Sequence, residues 1–157
     1  MHGRIFQLYA KPIAKEEYLT ESFFDDHWFL REVADYVSDH TDRNEDLKWL
    51  SDATDGIEFG KDEAGEYLII RSKGRYFSAQ HKKCVSACKE LAKISLSDFA
   101  SSFKAMRIFS MLCDSFDQRF GFYVVDSYED VMTLDRFVRA CKDGDKFYIG
   151  ASLDYHC

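Results

Sequence analysis

Cys84 stands three residues after His81 and four before Cys88. On a helix those spacings bring all three side chains along one side, and imidazole and thiolate are the ligands zinc prefers. His81, Cys84 and Cys88 are therefore the metal candidate of this chain. The set has no evident fourth member beyond the terminal Asp154, His156 and Cys157, and neither a CxxC knuckle nor an HExxH pair occurs. Cys84 and Cys88 also continue an apolar stripe with Phe77 and Leu91, where a free thiol packs as a small hydrophobe. We expect that packing role, and no metal or cofactor.

Other signatures of chemistry fail on a named residue. Gly60 and Gly65 have the spacing of a phosphate-binding loop, but Glu66 and Tyr67 stand where Lys and Ser/Thr must contact phosphate and magnesium. Asp42, Asn44 and Asp46 imitate the start of a calcium loop, whereas Leu47 replaces the turn glycine and Ala53 the bidentate glutamate. Asp25, Asp26 and His27 could orient an imidazole as a general base, and equally mark a helix start. With no GxSxG elbow and no thiol signature, a non-catalytic protein is preferred over an unrecognised small enzyme.

Two surfaces make sharper expectations. If residues 16–39 are helical, Glu21, Asp25, Glu32, Asp35 and Asp39 fall opposite a stripe of Leu19, Phe23, Leu30 and Val37, with Trp28 in their midst. An aromatic anchor ringed by carboxylates suits docking on the basic surface of a protein or ribonucleoprotein. Carboxylates at that spacing also resemble a phosphate row, so an inhibitor of nucleic-acid-handling machinery, such as a restriction- or CRISPR-type complex, could use them. The alternative is direct nucleic-acid binding by Arg71, Lys73, Arg75, Lys82, Lys83, Lys89 and Lys93, interleaved with Tyr76, Phe77 and His81.

Charge segregation underlies both. Residues 15–66 carry 17 acidic and 5 basic side chains, whereas 67–113 carry 9 basic and 2 acidic, within a total of −7. Folding either gathers these into separate faces or lays them side by side to neutralise.

The elements that must position these groups follow from periodicity. Arg4 to Ala10 alternates as a strand ended by Pro12. Residues 16–39 read as one long helix, or two broken near Asp25-Asp26, and Asn44 as the N-cap of a short helix through Leu50. Residues 57–60 and 66–72 form a hairpin, and a helix carrying Phe77, Cys84, Cys88 and Leu91 follows. Ser97 opens a further helix whose Phe99, Phe103, Met106, Ile108, Phe109 and Leu112 cover most of its circumference, as in a helix buried on two sides. Residues 120–126 read as a central strand. Ser127 with Asp130 suggests a capping box for a helix carrying Val131, Leu134, Phe137, Val138 and Cys141, and 146–153 as the last strand.

The expected fold is a single α+β domain over residues 1–157, a mostly antiparallel sheet of about five strands with helices packed on it. Apolar residues make up 46% of the 157, with 14 Phe and 9 Tyr, enough for a core without metal or disulfides. No apolar run approaches the roughly 20 residues of a membrane helix. Five cysteines, an odd number, and an N-terminus unlike a signal peptide point to the cytoplasm.

Overall fold

A computed structural model describes residues 2–157. The fold is α+β, built on a mixed, mostly antiparallel sheet of seven strands among the described residues. The strands are β1 (His2–Tyr9), β2 (Tyr36–Ser38), β3 (Ile57–Asp62), β4 (Gly65–Ile70), β5 (Phe122–Val125), β6 (Val131–Thr133) and β7 (Lys146–His156). Their order is β3-β4-β7-β1-β5-β6, with β2 also paired to β7. The helices are α1 (Trp28–Glu32), α2 (Arg43–Ala53), α3 (Lys73–Tyr76), α4 (Ser78–Leu91), α5 (Leu96–Ser101), α6 (Lys104–Phe116) and α7 (Leu134–Ala140). No helix among the described residues is long and apolar enough to cross a membrane.

The two strands beyond the expected five are β2 and β6, each three residues long and each read from periodicity as helix. Both are recruited by an edge: β2 by Asp154–His156 at the end of β7, and β6 by β5. Residues 122–125 lie beside β1, in parallel, and not at the sheet's centre, which β7 and β1 occupy. Helix starts also move. Asp42, not Asn44, caps α2 by accepting the Asn44 and Glu45 N–H groups. Ser95, not Ser97, caps α5, and Thr133 caps α7, while Asp126 closes the turn at 126–130 that the Ser127 capping box was to have opened.

Strand alternation sends side chains to two separate cores. Phe6, Leu8, Val124 and Ile149 pack on one face under Leu50 of α2 and Leu134, Phe137 and Val138 of α7. Ile5, Tyr123, Val125, Leu153 and Tyr155 face the other way, under Phe24, Phe29 and Ala34. A bulge opposite Gln7 joins the second layer to the sheet: Phe6 pairs with Ser152 but Leu8 with Ile149. Buried Gln7 accepts from Leu19 N (3.2 Å) and Ala151 N (3.1 Å) and donates to the Glu17 carbonyl (3.0 Å). Gly150 is required there, since a Cβ would lie 2.3 Å from the Gln7 side-chain oxygen.

The expectation for residues 97–112 is corrected. The segment is two helices, and they are not buried on two sides. α6 packs on α4 through Ala105, Ile108 and Ser115, while Phe103 (83% exposed), Met106, Phe109 and Phe116 face solvent.

Candidate functional site

The long acidic helix does not form. Phe24, Phe29 and Ala34 are all buried against the sheet, and a spacing of five residues turns 140° on a helix, so no single helix could present them to one surface. The chain instead makes 3-10 turns at Lys15–Glu17 and Glu21–Phe24, reverses at Asp26 with φ of 61°, and enters the five-residue α1. The break at Asp25-Asp26 is therefore present, but 28–39 does not continue as helix, and the alignment of Trp28, Glu32, Asp35 and Asp39 along one helical face is lost.

These residues are nevertheless at the surface. Glu21 and Asp25 lie on the 3-10 turn, Trp28 opens α1 at 40% exposure and Glu32 closes it. Among the described residues, none of the carboxylates of Glu21, Asp25 and Glu32 pairs with a lysine or arginine. Asp35 instead meets His156 at 3.2 Å, and Asp39 lies 4.0 Å from His40. Trp28 and Glu32 line a groove of about 350 Å³ together with Arg119 and Arg136. Arg119 donates to the Glu32 carbonyl (2.5 Å) and Arg136 pairs with Asp117 (2.5 Å), so both guanidinium groups are already held.

His27 positions Trp28. Its Nδ1 accepts the Phe29 N–H at 3.2 Å, capping α1, and its ring lies 5.5 Å from the Trp28 ring. Burial first, and Arg31 second, hold its pKa below the ordinary 6.5. The unfolded chain thus takes up this proton at higher pH than the folded one, so the contribution is fully present above 6.5 and falls as the pH drops through the folded value. Protonation also removes the acceptor. In a Trp49→Phe background, Trp28 emission is expected to fall with a midpoint below pH 6.5, and His27→Ser, which keeps a cap, should abolish the transition. A midpoint above 6.5 would contradict the cap.

The basic set divides in two. Arg71 pairs with Glu58 (2.7 and 3.1 Å), Arg75 with Asp55 (2.6 Å), and the Lys73 ammonium donates to the Arg139 and Cys141 carbonyls (both 2.6 Å), so these three hold α3 and the hairpin in place. Lys82, Lys83, Lys89 and Lys93 are exposed and make no ion pair among the described residues. Lys82 and Lys89 on α4, with Lys93 just beyond it, share one outward face, whereas Lys83 turns toward the body. His81 and Cys88 face solvent and Cys84 is half-buried. No group of three His, Cys, Asp or Glu side chains placed to hold a metal is found among the described residues.

Periodicity did not reveal a second cleft, of about 430 Å³, where α4 meets the body. Trp49, Tyr76, Lys83, Phe120 and Phe122 line it. At its wall Asp135, 4% exposed, accepts from Tyr76 OH and Gln80 Nε2 (both 2.9 Å) and from Gln118 N–H (3.0 Å). Burial, then Asp135, raises the Tyr76 pKa, which keeps the phenol a donor. Gln80 Oε1 is buried without a partner, and flipping the amide would only turn that oxygen toward the carboxylate. The elements come from residues 49–135, which is why no local motif marks them. Local desolvation and the neighbouring Cys84 thiol raise Cys88, although it is exposed, and burial raises Cys141 to about 11, which makes both poor nucleophiles.

Compared with known proteins, the chain matches no family model, no curated protein and no solved structure.

Proposed function

We propose that this protein is a non-catalytic docking protein that engages a basic surface of a macromolecular partner through Trp28 and the carboxylates around it. One observation carries the reading: an indole 40% exposed shares a groove with Glu32, and Glu32, like Glu21 and Asp25 on the preceding 3-10 turn, makes no ion pair with a lysine or arginine among the described residues. Unpaired carboxylates steer an approaching cationic surface, and an aromatic side chain supplies the desolvated anchor. A phosphate-binding groove is one such surface, so inhibition of a nucleic-acid-handling complex is the form of activity that fits. Five free cysteines accord with a reducing compartment such as the cytoplasm.

Affinity capture from the native cell tests this, scored as retention of a defined band by wild type and variants. Trp28→Ala should weaken capture at least tenfold, and Glu32→Lys should slow association and reduce its salt dependence. Unchanged capture by both variants would refute the reading.

A second reading rests on the four unpaired lysines of the α4 segment. Direct binding to nucleic acid through Lys82, Lys83, Lys89 and Lys93 would weaken steeply as salt rises, and absence of binding at low salt removes it.

A further inference from the structure

We propose that the cleft between α4 and the body binds a guanidinium cation, the group that an arginine side chain carries. The cleft shares no lining residue with the Trp28 groove, so this goes beyond the docking surface and does not depend on it.

Two acceptors in its wall have capacity that the fold leaves unused. Among the described residues, Gln80 Oε1 is the one buried side-chain nitrogen or oxygen without a hydrogen-bond partner. Its direction is fixed, because the amide nitrogen of the same side chain donates to Asp135 at 2.9 Å. Asp135 takes Tyr76 OH and Gln80 Nε2 on Oδ1 but only the Gln118 N–H on Oδ2, and a carboxylate oxygen can accept two such bonds. All three donors are neutral. No lysine, arginine or histidine among the described residues pairs with this carboxylate, although it is only 4% exposed. A buried charge so placed lacks the cation that would offset its desolvation. Since both acceptors are buried, only a group that enters between α4 and the body reaches them.

Acceptors and walls together select the ligand. An anion would find Lys83, which is exposed and makes no ion pair among the described residues, but would bring no N–H to either oxygen. A neutral amide or nucleobase would satisfy Gln80 and leave the Asp135 charge without a counterion. An ammonium ion is a compact, strongly hydrated point charge. A guanidinium is flat, more weakly hydrated and forked, so it can donate to two neighbouring acceptors while lying against an aromatic ring. Trp49 and Phe120, each 43% exposed, offer such rings in the cleft. The Arg4 guanidinium already stands 5.2 Å from the Trp49 ring centre and that of Arg119 5.4 Å from the Phe120 centre, so both rings take this group within the fold itself. At about 430 Å³ the cleft falls in the range of roughly 300–1,000 Å³ that small-ligand sites occupy.

Titration of the full chain with N-acetylarginine amide, followed by NMR at the Trp49 indole N–H and the Gln80 carboxamide, tests this. Saturable shifts are expected at both. The citrulline counterpart, neutral and of the same shape, should bind about tenfold more weakly, and so should the lysine counterpart. Gln80→Met should weaken the arginine derivative about tenfold, whereas Lys83→Met should tighten it several-fold by removing a like charge. Lys83 is exposed, so that second variant keeps the test valid even if Gln80→Met perturbs folding. Methylguanidine identifies the source: affinity equal to that of the arginine derivative indicates a free guanidinium compound, and much weaker binding indicates the side chain of a polypeptide. No saturable shift with either guanidinium probe would overturn the proposal, as would equal binding of the citrulline derivative. Preference for adenosine monophosphate, lost in Lys83→Met, would overturn it in favour of an anion site. The Trp28→Ala chain should bind the arginine derivative as wild type does, which separates this result from the fate of the docking surface.

Discussion

Replacing Arg4 with leucine is expected to destabilise the protein by about 3–5 kcal/mol, the cost of leaving a buried carboxylate without its cation. Asp46 is 2% exposed in the first turn of α2 and holds both the Arg4 guanidinium and the Ser152 hydroxyl (2.9 Å). Arg4 also pairs with Asp154 and lies 5.2 Å from the centre of the Trp49 ring, so it ties α2 to β1 and β7 together. The loss should be read from urea unfolding at neutral pH. Arg4→Leu/Asp46→Leu should recover most of it, because the stranded charge is then gone, and that recovery separates charge burial from lost packing. A cost below about 1 kcal/mol for Arg4→Leu would mean that water reaches Asp46.

Phe29→Ala should be comparable, at about 3–5 kcal/mol, since a fully buried aromatic leaves a cavity that its neighbours cannot fill. Phe29 is 0% exposed, with the rings of Tyr123, Tyr155 and Phe24 at 4.8, 5.2 and 5.5 Å. It is the pin that fastens α1 to the sheet, directly beside Trp28. Phe29→Ala should therefore also move Trp28 emission before global unfolding in a Trp49→Phe background, whereas Phe29→Leu should cost less than about 1.5 kcal/mol and leave it in place. A single coincident transition for Phe29→Ala would show that α1 has no separate stability.

The α+β class, the β3–β4 hairpin, the first and last strands of the chain, β1 and β7, and the helical character of α2, α4 and α7 were legible because each has a hydrophobic period or turn residues of its own. The acidic segment was not. Leu19, Phe23, Leu30 and Val37 match a helical period, but burial falls on Phe24, Phe29 and Ala34, and what they bury against is β5 and β7, about a hundred residues away. β2 and β6 show the same limit, since strands of three residues exist only where an edge accepts them. The 97–116 segment misled in the opposite direction. An apolar helix reads as buried, whereas α4 covers only one side of it.

Composition and local pattern decided the class of fold, the segregation of charge along the chain and the failure of every local catalytic signature, because these depend on residue type and spacing within a few turns. Tertiary structure alone decided which charges remain unpaired. Arg71, Lys73 and Arg75 are spent on Glu58, backbone carbonyls and Asp55, while the lysines of α4 and the carboxylates beside Trp28 are left to solvent. The reason is that pairing depends on distances of a few ångströms between elements far apart in the chain, and only the packed sheet sets those distances.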